Sequence, residues 1–160
     1  MAQNSAITCC FTGHRVIPKE QMENIERQTK EVCENLIRKG YRVFIAGGAL
    51  GFDTICAKCV LELREIYEDI KLVIAVPCKE QDKGWSKADS EIYHNILNMA
   101  DEVKLVSEHY TAGCMQKRNR FMVDNSSVCV AYLKKMRGGT AYTVSYASDC
   151  GAEIIFVGNL

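Results

Sequence analysis

Between Val43 and Asp53 the chain changes character at a pair of glycines, and that change restricts the fold more than any other feature of the sequence. Val43-Phe44-Ile45-Ala46 is a short apolar run of the kind found in a buried strand. Beyond Gly47-Gly48-Ala49-Leu50-Gly51-Phe52-Asp53 the pattern turns helical. Cys56, Cys59, Val60, Leu63 and Tyr67 fall on one face, and Lys58, Glu62, Arg64, Glu65 and Glu68 on the other. A strand that passes through glycines into a helix exposes free backbone N–H groups at the helix N-terminus, and these suit an anion such as phosphate.

The same alternation runs along the whole chain. Ala6 to Phe11 reads as a first strand ending at Thr12-Gly13-His14-Arg15. Pro18 introduces a helix at about Lys19 to Lys39, with Met22, Ile25, Val32, Cys33, Leu36 and Ile37 inward and Gly40 as its stop. Tyr41 to Ala46 is the second strand, Gly51 to Asp69 the second helix and Ile70 to Val76 the third strand. A polar loop from Cys78 to Ala88 holds the single tryptophan, Trp85. It leads to a helix at Ala88 to Ala100, with Ile92, Ile96 and Met99 inward, and a strand at Glu102 to Val106. After an irregular stretch, Ser107 to Met115, come a helix at Gln116 to Asn125, a strand at Ser127 to Leu133, a helix at Gly138 to Asp149 and a strand at Ala152 to Val157.

Near-continuous apolar strands alternating with helices predict a mainly parallel sheet of about six strands, covered on both faces. Right-handed crossovers make it a doubly wound, Rossmann-like α/β three-layer sandwich, expected as one domain over residues 1–160. Ligands in such sheets bind at the carboxyl ends of the strands, and there the chain keeps its glycines.

Charge and cysteine usage narrow the function classes. Lys plus Arg and Asp plus Glu both total 20, which argues against nucleic acid as a partner. Lys79, Lys83 and Lys87 are diluted by Glu80, Asp82 and Asp89 and read as a solvated face. The start, Met1 to Ser5, has no charged leader, and no run reaches membrane-spanning length, so a cytoplasmic protein without a membrane partner is expected. The nine cysteines are odd in number and mostly sit in strand or helix patterns, so buried reduced thiols are expected at Cys9, Cys10, Cys33, Cys56, Cys59, Cys129 and Cys150. Cys56 and Cys59 have metal-ligand spacing but no second pair to complete a site, and no metal is expected.

Three loops that follow strands carry turn or phosphate-cradle chemistry: Thr12-Gly13-His14-Arg15, Gly47 to Asp53, and Arg137-Gly138-Gly139-Thr140. The Gly47-Gly48-Ala49-Leu50-Gly51 spacing matches neither the dinucleotide fingerprint nor a Walker loop, which removes support for hydride and phosphoryl transfer. Arg15 reads either as a bidentate partner of phosphate or as half of a surface salt bridge. Arg118 and Arg120, two apart, diverge by roughly 200° on a helix, so at most one faces a given ligand. Asp53 either caps its helix or holds a ribose hydroxyl, and Trp85 either stacks on a base or covers its own loop. His14 has the chemistry of an acid or base but no obvious paired group, and His94 and His109 carry no constellation.

Five ordered motifs resemble the SLOG superfamily: Phe11-Thr12-Gly13-His14-Arg15; Ala46 to Asp53; Pro77 to Gln81 with Trp85; Met115 to Asp124; and Gly138 to Thr143. The resemblance spans about Thr8 to Val157, and within the superfamily it is to a branch of small bacterial and phage proteins. Gly47 to Asp53 and Arg118-Asn119-Arg120 look like the Rossmann-like core of DNA-processing protein A, a single-stranded DNA binder. Met115 with Arg118, followed by Gly138-Gly139, looks more like the cytokinin-activating phosphoribohydrolases. There the chain departs from the pattern, because Thr143 or Ser145 stands where that family has its catalytic glutamate. Asp53 and Asp124 are the carboxylates that would have to substitute, and no catalytic residue is assigned.

The resemblance implies a binding module, of a sensory or regulatory kind, for a small phosphate-bearing ligand, a nucleotide or nucleotide derivative. Its expected contacts are Gly13, His14, Arg15, Gly47, Gly48, Asp53, Gln81, Trp85, Arg118, Gly138, Gly139 and Thr140. Arg15 and Arg118 would neutralise phosphate, and Trp85 with Gln81 would reach the base. N-glycosidic or phosphoribosyl hydrolysis and single-stranded nucleic-acid binding stand as alternatives. A homo-oligomer is compatible with a small α/β sandwich, although composition points to no face for it.

Overall fold

The computed structural model describes residues 2–158; Met1, Asn159 and Leu160, the ends of the expected 1–160 domain, lie outside the described residues. The chain runs β1 (Thr8–Gly13), α1 (Met22–Arg38), β2 (Val43–Ala46), α2 (Phe52–Arg64), β3 (Lys71–Val76), α3 (Lys87–Met99), β4 (Glu102–Leu105), α4 (Cys114–Asp124), β5 (Val128–Tyr132), α5 (Gly139–Asp149) and β6 (Glu153–Phe156). Every strand pairs parallel to its neighbours, in the order β4-β3-β2-β1-β5-β6. The expected doubly wound sheet is therefore present. Its direction of winding reverses between β1 and β5, the switch point at which a crevice opens beyond the carboxyl ends of the strands.

Strand periodicity of two sorts the core into two layers. Phe11, Phe44, Leu72, Ile74, Val128 and Val130 face α1, α2 and α3. Cys10, Ile45, Val73, Ala75 and Cys129 face α4 and α5, meeting Met122, Val123 and Ala147. Phe11 and Phe44 stack with ring centroids 6.2 Å apart.

The structure corrects several local expectations. The first strand starts at Thr8, not Ala6, because Ala2–Ile7 form a 3-10 helix, onto which the Thr8 hydroxyl donates at the Asn4 carbonyl, 2.6 Å away. The second helix ends at Arg64 instead of continuing to Asp69. The chain turns back to align Lys71 beside Val43, an entry held by the Arg42–Asp69 ion pair at 2.8 Å. On α3 the inward residues are Tyr93 and Ile96, while Ile92 and Met99 are exposed. Near-continuous apolar burial fails at β4, where all four residues are exposed, because this strand forms one edge of the sheet. Cys150, expected inside, is exposed just past α5, whereas the other eight cysteines are buried, and all nine are free thiols. No helix among the described residues is long and apolar enough to cross a membrane.

Candidate functional site

The loops leaving β1 and β2 are interlocked, and glycine is what lets them meet. A Cβ on Gly13 would lie 2.4 Å from the Phe52 ring. One on Gly51, whose φ is +78°, would lie 2.2 Å from the Arg15 carbonyl oxygen. The Phe52 N–H donates to the His14 carbonyl at 3.1 Å, so the start of α2 is fixed against the end of β1. Phe52 then packs on Tyr132 at the end of β5, with centroids 5.9 Å apart.

Beneath this junction lies a buried polar floor. Arg118, on the inner face of α4 and only 4% exposed, donates through Nη1 to the carbonyls of Gly47 and of Ala75, the latter at 3.2 Å, and to Gln81 Oε1 at 3.4 Å. Gln81 in turn donates to the Gly47 carbonyl at 3.2 Å and to the Tyr93 hydroxyl at 3.3 Å. Asp53, 7% exposed, accepts the Ala49 N–H at 3.2 Å. Burial raises its pKa from an ordinary 3.8 to about 6, against the opposing pull of Arg118, the Ala49 N–H, Arg15 and the Gly47 N–H. Burial likewise lowers the pKa of Arg118, with Asp53 opposing it.

Above the floor, a crevice of about 280 Å³ opens at the switch point. One wall is Thr12, Gly13, His14 and Arg15; another is Lys135, Arg137 and the α5 N-terminus at Gly138, Gly139 and Thr140; Asp53, Arg118 and Asn119 close the bottom. Arg15, Lys135 and Arg137 are exposed and form none of the ion pairs made among the described residues. Cations of this kind beside the free N–H groups of a helix N-terminus attract an anion. A Cβ on Gly139 would meet nothing within 4 Å and its φ lies outside the left-handed range, so the fold itself does not require glycine there.

A larger space of about 630 Å³ adjoins the crevice through Arg15 and Met115, which line both. Trp85, Gln81, Glu80, His109 and Tyr110 surround it. Its two loops are pinned together: Glu80 accepts from the Tyr110 N–H at 2.9 Å and pairs with His109 at 3.1 Å, and Lys79 pairs with Glu108. Trp85 meets Tyr93 edge to face at 5.3 Å. Gly48, Asp53, Trp85 and Tyr93 also line a third hollow, of about 310 Å³, on the α2–α3 side.

The fold thus gathers Gly13, His14, Arg15, Asp53, Arg118, Gly138, Gly139 and Thr140 around one crevice and puts Gln81 and Trp85 in the space beside it. Gly47 lies behind the floor and Gly48 opens toward the α2–α3 hollow. Arg120 points away from the crevice and donates to Tyr142 at 2.8 Å, as the two-residue spacing required. Asp124 accepts from Tyr146 outside the crevice, and the Thr143 hydroxyl donates to the Gly139 carbonyl at 2.8 Å, so among the described residues Asp53 is the one carboxylate lining the crevice. Its pKa suits acid–base work near neutrality. Among the described residues no group of three His, Cys, Asp or Glu side chains is placed to hold a metal. Sequence reasoning missed Lys135 as a crevice residue and the Glu80–His109 pair; a run of Lys134, Lys135 and Arg137 directly after a strand was the available signal for the first.

Residues 12–153 match the model of a family described as the YspA SLOG family. The chain is 40% identical over 130 residues to the uncharacterized SPbeta prophage-derived protein YoqJ of Bacillus subtilis strain 168, an alignment covering 72% of this chain and 75% of that one. It is 27% identical over 133 residues to a UPF0398 protein of Bacillus thuringiensis strain Al Hakam, covering 81% and 72%. Among solved structures, DNA processing protein A from Streptococcus pneumoniae superposes with a TM-score of 0.70 at 18% identity, over 97% of this chain and 51% of that one, so this chain spans about half its length. DNA processing protein A from Helicobacter pylori, solved for its single-stranded DNA binding mode, gives 0.69 at 16% identity, over 98% of this chain and 67% of that one. At these identities the likeness is one of fold.

Proposed function

This chain belongs to the YspA SLOG family, and from that premise we propose that it binds a nucleotide or nucleotide-derived small molecule, holding the phosphate in the switch-point crevice. The observation that carries the reading is the convergence of Arg15, Lys135 and Arg137, none of them ion-paired among the described residues, on the N-terminus of α5. Gly139 supports it, since its missing side chain leaves backbone open to a ligand where the protein itself needs no such space. The adjoining space supports a base beside Trp85 and Tyr110, with Arg15 at the junction of the two compartments. Mass spectrometry of material released from purified protein, with a thermal-shift panel of nucleotides, tests the proposal. A stabilising shift that Arg15→Ala reduces is expected; no shift with any nucleotide contradicts it.

A second reading, single-stranded nucleic-acid binding, is favoured by the exposed cations at 134, 135 and 137 and by the fold shared with the Helicobacter pylori DNA-binding protein. The even overall charge weighs against it. It predicts retardation of labelled oligonucleotide that weakens steeply with salt; absent or salt-insensitive retardation removes it.

A further inference from the structure

We propose that His14 is a positioning residue: its neutral imidazole latches the basic loop 134–137 over the crevice, and protonating it releases the loop and weakens anion binding. The proposal rests on the anion-binding reading of the crevice, but the latch itself can be observed without a ligand.

The geometry is that of a double acceptor. His14 Nε2 receives the Lys134 N–H at 2.8 Å and the Lys135 N–H at 3.3 Å. A ring nitrogen that accepts carries no proton, so the arrangement selects the neutral tautomer with hydrogen on Nδ1. Both amides belong to the connection that carries Lys135 and Arg137 to the crevice. His14 is itself clamped, because its carbonyl accepts the Phe52 N–H at 3.1 Å and its ring meets Tyr132 edge-on at 5.7 Å. One side chain therefore ties the β5–α5 connection to the junction of β1 and α2.

The surroundings oppose a charge on the ring. From the β5–α5 connection Lys134 and Lys135 face it, and from β5 the Tyr132 ring does. The α2 side brings Gly51 and Phe52, which do not titrate, and Arg15 follows in its own loop. Partial burial, then Lys135, lower the His14 pKa from 6.5. An imidazolium would turn an acceptor into a donor aimed at two N–H groups. Asp53 shares the crevice and gains its proton in acid. Charge alone would then tighten anion binding as pH falls, which is the opposite of what the latch requires.

Nitrogen-15 NMR of the unliganded protein, followed by titration with inorganic sulfate, whose charge is constant over about pH 5 to 8, separates the two. The Lys134 and Lys135 amide resonances are expected to move with the midpoint of the His14 ring. Sulfate affinity should fall about tenfold, the effect of losing one or two hydrogen bonds, in the native protein relative to His14→Gln as that midpoint is crossed. The glutamine carbonyl supplies an acceptor that does not titrate, and both proteins share the Asp53 effect. His14→Ala should show fast exchange of both amides at every pH. Amides indifferent to His14, or equal pH slopes in the native protein and His14→Gln, overturn the proposal. If sulfate binds neither protein at any pH, the anion-binding reading fails, and the amide titration alone decides the latch.

Discussion

Arg118 stands directly over Gly47: its Nη1 donates to the Gly47 carbonyl and lies 2.7 Å from where a Cβ on that glycine would be. The same point is 2.8 Å from Asp53 Oδ2, so a methyl group there would meet a buried cation and a buried carboxylate together. Gly47→Ala is expected to destabilise the fold by about 1–3 kcal/mol, the usual effect of overpacking, as read by urea unfolding. An alanine variant as stable as the parent would show that the floor is looser than described.

Removing Arg118 should be worse than removing Asp53, the carboxylate buried near it. In Arg118→Met the Gly47 and Ala75 carbonyls each lose one donor, Gly47 keeping Gln81, and Asp53 is left buried without the nearby guanidinium, at an expected cost of about 3–5 kcal/mol. The double variant with Asp53→Asn should lose less than the sum of the two single losses, because the uncompensated carboxylate is gone. Strict additivity in denaturant titrations would show that the two groups do not interact.

Asp53 imposes a definite pH dependence. Its carboxyl titrates at about 6 when folded and at 3.8 ordinarily, so between those values the folded state holds the proton and the unfolded state does not. Stability contributed by this group is therefore present below about pH 4 and declines as pH rises to about 6, by about 3 kcal/mol. Asp53→Asn should flatten that decline, and above pH 6 it should bind a nucleotide phosphate more tightly by removing a negative charge. An unchanged pH profile in Asp53→Asn contradicts the assignment.

The exposed cations should behave in the opposite way from the floor. Arg15→Ala and Arg137→Ala break no ion pair of the described residues, so unliganded stability should stay within about 0.5 kcal/mol of the parent. Each should weaken calorimetric nucleotide affinity by about tenfold, as expected for a charge-assisted contact. Variants that lose stability but bind normally would reverse the roles of rim and floor.

What could be read from sequence was local. The strand runs and their glycine stops predict the alternation and the parallel sheet, because a Val43–Ala46 run followed by Gly47-Gly48 specifies its own ending. On α3 the pattern places Ile92, Ile96 and Met99 inward; Ile96 is buried, but Tyr93 takes the inner position in place of Ile92 and Met99, where Gln81 and Trp85 of another loop meet it. Nothing local marks β4 as an edge strand either; its exposure follows from strand order. In the site, the three glycine loops were legible and their meeting point was inferred from the fold. The inward reach of Arg118 to Gly47 spans 71 positions, and the link from Lys134 to His14 spans 120, so neither leaves a signal in its own neighbourhood.

The central claim concerns where a phosphate comes to rest, and a crystal structure with the nucleotide that gives the largest thermal shift tests it most directly. The prediction is phosphate oxygens within hydrogen-bond reach of the Gly139 and Thr140 amides and of the Arg15 guanidinium, with the base in the space beside Trp85. A nucleotide bound with its phosphate outside the crevice, or seated in the hollow between α2 and α3, would contradict it.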